Sequence, residues 1–223
     1  MIESSPSSLS LVVLVSGSGS NLQALLNACA AGHLPAQVRA VVSNEPTAYA
    51  LTRANRAGVA TEVLSHRDFI GSRNDYDTAL AERIERYNPD LVLLAGFMRI
   101  LTPPFVARFR GRMLNIHPAL LPAFRGLHTH ARALAARVKE HGASVHFVTE
   151  ELDGGPVVLQ ARVPILSGDS EEDLAARVLA QEHLIYPKAV SWFAQGRLRL
   201  GEDGRAWFDD QPLPPQGVQY AGM

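Results

Sequence analysis

Cysteine is nearly missing from this chain: Cys29 is the only one in 223 residues. A lone thiol closes no intramolecular disulfide and builds no thiolate metal cluster, a usage that suits a reducing cytoplasm. Charge of one sign is not in excess either. The formal net charge is −1, so no global basic field invites a nucleic acid. Long apolar runs are absent as well. Leu9 to Val15 is far shorter than a membrane span, and Ser16-Gly17 cuts it off. Met1 to Ser8 hold an acid and no base, which is not the composition of a secretory leader, and a frayed tail is expected there.

Several short catalytic signatures do not occur. No Gly-Lys-Ser/Thr follows the early glycines, which excludes a P-loop, and no His-Glu-x-x-His is found among the eight histidines. His128, His130, His141 and His146 match no short ligand spacing, so no metal site is expected. His146 alternates with Val145 and Phe147 and reads as a sheet-facing residue rather than a ligand. Gly17-Ser18-Gly19 is too short for a nucleophile elbow, and Cys29 falls in a helical stretch where packing is its expected role.

What remains is an ordinary globular composition, 47% hydrophobic and 19% charged. Strand-like runs are read at 11–15, 38–42, 61–64, 91–95, 112–116, 144–148 and 157–163. Helical spacing is read at 20–31, 47–57, 75–87 and 131–139. The stretch 173–193 reads as a long helix with a break before Pro187, followed by a tail of small strands and coil. The alternation predicts an α/β fold, a mostly parallel, twisted, open sheet of about seven strands with helices on both faces. No linker splits the chain. The weakest join lies near Gly96 to Leu101, between two halves of one sheet, so the expected organisation is a tail over 1–8, one domain over 9–200 and a C-terminal extension over 201–223.

Two stretches point to chemistry. Ser16-Gly17-Ser18-Gly19-Ser20-Asn21 lies between the first strand and the first helix, where glycines admit close approach and a helix start offers free N–H groups to an anion. The same loop also reads as a plain flexible turn. Leu22 stands where a dinucleotide fingerprint has its third glycine, although Glu45 after the second strand keeps a ribose contact, and hence a nicotinamide cofactor, in view.

Asn115-Ile116-His117-Pro118 is the second. Residues i and i+2 of a strand project to one face, and Pro118 ends the strand, so an amide and an imidazole are presented together at a strand end. An amide can donate to a developing oxyanion, and an imidazole can move protons. Asp153, in Leu152-Asp153-Gly154-Gly155-Pro156, sits in a tight loop between two strands. Beside His117 it would favour the imidazolium and raise the histidine pKa. That trio suits attack of an amine on an acyl carbon. Taken singly, each member has a structural reading too, Asp153 most simply as a turn residue.

The ordered motifs resemble one family. Ser16 to Gln23, Leu94-Ala95-Gly96-Phe97-Met98-Arg99-Ile100-Leu101, Leu114 to Pro118, Ser144-Val145-His146-Phe147-Val148, Leu152 to Pro156 and Gln181-Glu182-His183-x-Ile185-Tyr186-Pro187 together are similar to the phosphoribosylglycinamide formyltransferases. The resemblance covers roughly 11–196. It implies a Rossmann-like formyltransferase fold and transfer of a formyl group from 10-formyltetrahydrofolate to the amine of glycinamide ribonucleotide, a step of purine biosynthesis. It implies that Gly19, Ser20, Asn21 and Glu182 hold the ribonucleotide. Arg73, Met98, Arg99, Ile100, Leu101 and Asn115 would line the folate site. His117, Asn115 and Asp153 would be catalytic, and no metal is called for.

Ala119, Leu179 and Ala135 to Lys139 depart from the family pattern, away from that trio. Methionyl-tRNA formyltransferases carry an added C-terminal domain and the formyltetrahydrofolate deformylases an added N-terminal one, for which no room is expected here. A formyltetrahydrofolate hydrolase, or another formyltransferase of the same fold, stays as the alternative, and a non-catalytic sensor of the same ligands as a further one. The expected partners are small molecules, with no nucleic acid and no membrane, in a cytoplasmic monomer or homodimer.

Overall fold

The computed structural model describes residues 8–221, so residues 1–7 of the expected tail lie outside it. The first half of the chain forms β1 (Leu9–Val15), α1 (Ser20–Ala30), β2 (Ala36–Ser43), α2 (Tyr49–Arg56), β3 (Ala60–Val63), α3 (Arg73–Glu85) and β4 (Leu91–Leu94). The second half forms α4 (Pro103–Arg108), β5 (Met113–His117), α5 (Thr129–Ala135), β6 (Glu140–Phe147), β7 (Val157–Pro164) and α6 (Glu171–Ala194). Four short strands follow: β8 (Leu198–Leu200), β9 (Ala206–Phe208), β10 (Gln211–Pro212) and β11 (Val218–Gln219).

Strand β1 shows why the sheet must be covered twice. Leu11, Val13 and Val15 pack with Leu22 and Leu25 of α1 and with Ile185 and Tyr186 of α6. Val12 and Leu14 point the other way, toward Tyr76, Leu80 and Ile84 of α3 and Phe105 and Phe109 beside α4. A continuous β-branched and leucine run with period two therefore feeds two cores, as in parallel sheets with helices on both sides. β1 pairs in parallel with β2 on one side and with β4 on the other, so the strand order reverses beside it. Such a reversal opens a crevice beyond the carboxyl ends of the strands.

The sheet has eight strands, in the order β11-β7-β6-β5-β4-β1-β2-β3, one more than expected. The addition comes from the C-terminal segment, where Val218–Gln219 pairs in parallel with β7. β6 runs antiparallel to both β5 and β7, and the remaining pairings of this sheet are parallel.

Three expectations need correction. Helix α5 stops at Ala135 instead of 139, and β6 begins at Glu140, four residues before the expected strand. Gly142 permits this early start, since a Cβ there would lie 2.0 Å from the Ala161 carbonyl oxygen on the neighbouring strand. Helix α4 was not anticipated, although Thr102 followed by Pro103 is a good helix start, because proline lacks only an N–H that the first turn leaves unpaired. Helix α6 does not break before Pro187. It runs unbroken to Ala194, with a serine–aspartate capping box at Ser170 and Asp173. An interior proline costs about 3 kcal/mol, but Glu182, Ile185, Tyr186, Ala189 and Val190 are buried on either side of it. The Tyr186 hydroxyl also lies 3.0 Å from the carbonyl oxygens of both Leu94 and Leu114. These contacts hold the helix to the sheet across the missing bond.

Replacing Gly142 by alanine is expected to destabilise the fold by about 2 kcal/mol or more, because the obstructing atom is backbone and cannot swing away. Urea denaturation read by circular dichroism measures this as a lowered midpoint at unchanged slope.

Candidate active site

The carboxyl ends of β1, β4 and β5 place the sequence candidates around one cleft. Asn115 and His117 project from β5, and Pro118 follows the last strand residue as expected. In the antiparallel register Asn115 faces His146 across β6. The loop leaving β6 turns back and delivers Asp153, which holds a left-handed φ of 49°.

Asp153 is the meeting point. His117 Nδ1 lies 3.4 Å from its Oδ2, and the Gly126 N–H donates to the same oxygen at 2.9 Å. Asn115 Nδ2 lies 3.5 Å and His146 Nε2 3.7 Å from Oδ1. The three ionisable side chains are buried, none more than 9% exposed. The structure therefore brings the expected trio together and adds His146, which the sequence reading had set aside as sheet-facing. Strand alternation tells which face a residue takes, and only the β5–β6 register reveals what it meets there. His146 Nδ1 lies 2.9 Å from the Phe147 carbonyl oxygen, and its Nε2 lies 3.1 Å from Asn115 Nδ2. Nδ1 donates to that carbonyl, and Nε2 faces both the Asn115 amide and Asp153 Oδ1.

His117 Nε2 is 3.0 Å from the Phe124 carbonyl oxygen. Both of its nitrogens thus face oxygens, the surroundings of an imidazolium. Burial nevertheless pushes its pKa below the ordinary histidine value, against the raising influence of Asp153 and of the Phe124 carbonyl. The rise expected from Asp153 is present, but desolvation outweighs it. Burial works to raise the Asp153 carboxyl, yet His146, His117 and the Gly126 N–H together hold it below the usual range.

The glycine loop lies on the other wall. Gly19 precedes α1 with φ 71°, and a Cβ there would come within 2.6 Å of Ala50 Cβ. The Ala50 N–H donates to Gly17 O at 3.0 Å and Arg53 Nε donates to Ser18 O at 2.8 Å, fixing the loop from behind. Asn21 Nδ2 donates to Glu182 Oε2 at 2.6 Å, so these two candidates, far apart in sequence, are in contact. Burial raises the Glu182 carboxyl, against the lowering bond from Asn21.

The remaining candidates follow β4. Arg99, Ile100 and Leu101 line a slot of about 80 Å³ with Leu94, Phe97, Asn115, His146 and the 148–153 loop. The Arg99 guanidinium stacks 4.0 Å from the Tyr76 ring centroid. Met98 points away from this slot, into a shallow cavity beside Ser16–Ser18. Arg73 stays exposed and donates to the Ile100 carbonyl. Two buried polar atoms, Asn21 Oδ1 and Arg99 Nε, have no partner in the protein. One lies at the glycine loop and one at the slot, so each wall has unused hydrogen-bonding capacity of the kind a bound ligand takes up. Among the described residues, no group of three or more His, Cys, Asp or Glu side chains is arranged to hold a metal ion. No helix there is long and apolar enough to cross a membrane.

A switch-point cleft with an anion-accepting glycine loop on one wall and a buried imidazole–amide–carboxylate cluster on the other defines an α/β enzyme of the group-transfer class. Residues 9–190 match the Formyl transferase family model, and the chain belongs to that family. It is 57% identical over 209 residues, 94% of this chain and 98% of the relative, to the phosphoribosylglycinamide formyltransferase of Escherichia coli K12. It is 43% identical to a region making up 20% of the human trifunctional purine biosynthetic protein adenosine-3, aligned over 90% of this chain. A solved phosphoribosylglycinamide formyltransferase from Coxiella burnetii superposes with a TM-score of 0.91 at 48% identity, covering 96% of this chain and 99% of that one.

Buried histidines beyond the cluster predict acid sensitivity. His141 is 1% exposed and neither ring nitrogen has a partner. Burial, helped by His130 and His117, lowers its pKa from 6.5 to about 4. The unfolded chain binds this proton near pH 6.5 and the folded chain only near pH 4, so stability falls as pH drops through that window and levels off below it. The loss is expected to be about 3 kcal/mol. Denaturation across this pH range should show a shallower decline in His141→Leu than in the parent; parallel curves would contradict it.

Proposed function

We propose that this chain transfers the formyl group of 10-formyltetrahydrofolate to the amine of 5'-phosphoribosylglycinamide, giving phosphoribosyl-N-formylglycinamide and tetrahydrofolate in de novo purine synthesis. The observation that carries this reading is the convergence of Asn115, His117 and His146 on Asp153 beside the glycine loop. Nearly full-length identity to enzymes of that name supports it.

Gly19, Ser20 and Asn21 hold the phosphate at the start of α1, where free N–H groups and the helix dipole favour an anion. Glu182 orients the ribonucleotide through its pairing with Asn21. Arg73, Met98, Arg99, Ile100, Leu101 and Asn115 form the folate side. The slot as it stands is about 80 Å³, so the exposed 150–152 loop draws back to seat a pterin while Asp153 keeps its contacts; Leu152 is half-exposed there and resists this little.

The formyl donor supplies an acyl carbon already bonded to a nitrogen leaving group. As the amine nitrogen bonds to that carbon, Asn115 donates to the carbonyl oxygen gaining negative charge. His117 in its protonated form adds positive charge to the same region. Asp153 draws the proton lost by the amine, directly or through a water, and His117 passes one toward the departing nitrogen as its bond to carbon breaks. His146 holds one Asn115 N–H, and the other leaves its 3.5 Å contact with Asp153 Oδ1 to meet the formyl oxygen.

The assay is formation of formylated ribonucleotide from the two substrates, run beside a control without amine. Formate release in that control would point to hydrolysis instead. Asn115→Ala and His117→Asn are each expected to lower kcat by about 100-fold or more while tetrahydrofolate still binds.

Asp153 raises the His117 pKa, so Asp153→Asn should move the alkaline limb of the pH–rate profile, where protonated His117 is lost, to lower pH. An unmoved limb would count against the coupling of these two groups.

For the whole chain, 9–200 is read as one functional unit and 201–223 as a C-terminal extension, of which Val218–Gln219 joins the main sheet. A cytoplasmic setting follows from the single thiol and the purine reaction, with the chain acting as a monomer or homodimer.

A further inference from the structure

The segment after β4 is pinned at several backbone points. Asp77 Oδ2 accepts from the Thr102 N–H at 2.6 Å, and Arg73 donates to the Ile100 carbonyl. The third pin is different, because it comes from the opposite wall of the cleft. The Met98 N–H donates to Ser16 Oγ at 2.8 Å, while the same hydroxyl donates to Asn44 Oδ1 at 2.5 Å. The Ser16 N–H also donates to Gly96 O at 3.1 Å. Asn44 is buried and held in turn, its Nδ2 lying 3.2 Å from His66 Nδ1.

Ser16 is therefore a joint. It is the first residue of the glycine loop, and its backbone and side chain both bond the 96–98 stretch, which leads into the slot wall at Arg99–Leu101. Gly17 O and Ser18 O accept from Ala50 and Arg53, so the loop is held from behind, and Ser16 is its link to the 96–98 stretch. A phosphate that stiffens the loop further also stiffens the 96–98 stretch through Ser16. A second ligand that needs the 98–101 wall in place then loses less conformational entropy when it binds.

We propose that Ser16 is a positioning residue that couples the two substrate sites, so that the phosphorylated amine tightens binding of the folate. This rests on the reading above, in which the glycine loop and the 98–101 wall each hold one substrate. Ser16 touches no reacting atom. Its loss should alter how one ligand senses the other more than it alters either site alone.

The test uses tetrahydrofolate as probe, since it carries no formyl group and cannot turn over. Its dissociation constant is measured by titration calorimetry on the full chain, with and without saturating 5'-phosphoribosylglycinamide. In the parent chain the amine is expected to tighten tetrahydrofolate by about five-fold or more. In Ser16→Ala the ratio of the two constants should fall close to one. In Ser16→Thr, which keeps the hydroxyl, it should be retained. A merely structural role would weaken both constants together and leave the ratio intact. An unchanged ratio in Ser16→Ala, or a ratio of one in the parent with measurable binding, overturns the coupling alone. Absence of any tetrahydrofolate binding in the parent overturns the functional reading, and the coupling with it.

Discussion

A buried carboxylate that must stay charged is the constraint around which the site is arranged. Asp153 is taken out of water at the carboxyl end of the sheet, and burial by itself would protonate it. Two histidines, an amide and a backbone N–H converge on its two oxygens instead. Each contact is modest, several lying near 3.5 Å, but together they keep the carboxyl below its ordinary pKa. For His117 the balance goes the other way: Asp153 and the Phe124 carbonyl raise its pKa, and burial outweighs them and lowers it.

That cluster depends on strand directions. β5 presents Asn115 and His117 at its carboxyl end, and an antiparallel β6 is needed to put His146 opposite Asn115. β6 ends beside Met113, at the amino end of β5, and the loop that follows runs back to return Asp153 to the neighbours the strand has just passed. The single reversed strand in an otherwise parallel sheet is thus part of how the site is assembled. Tyr186 serves the same end from the helix layer. Its hydroxyl sits between the carbonyls of Leu94 and Leu114, the residues before Ala95 and Asn115, and ties the two site-bearing strands together.

Much of this was legible in the residues. The run 11–15 announced a strand buried on both faces, and Asn115 with His117 at i and i+2 before Pro118 announced two polar heads at a strand end. Both readings need only local periodicity, which is why they survive. What required the third dimension was different in kind. His146 looked like half of a sheet alternation, since its partner is fixed by a register that no single strand encodes. Pro187 looked like a helix end, because the burial that carries α6 through it comes from the sheet. For His117 the raising charge of Asp153 was visible as a nearby motif, while the desolvation that outweighs it is a property of the packed cleft. Thr102-Pro103 was the exception, a local helix start legible in the residues, since proline suits the first turn.

The two walls of the cleft are built on opposite logics, and their join explains why both are needed. The glycine loop is fixed from behind by Ala50 and Arg53, which leaves its N–H groups facing forward and makes it a preorganised receptor for an anion. The slot wall is narrow, bordered by an exposed 150–152 loop, and has to adjust before a flat ring can enter. A rigid wall and a yielding wall that moved independently would present two substrates with no fixed distance between them. Transfer between bound groups is sensitive to misplacement on the order of 1 Å. The hydroxyl of Ser16 meets this requirement at little cost, because one group accepts from the yielding wall while donating to Asn44 at the end of β2. The adjustable side is thereby referenced to the fixed side at the residue where the two walls meet.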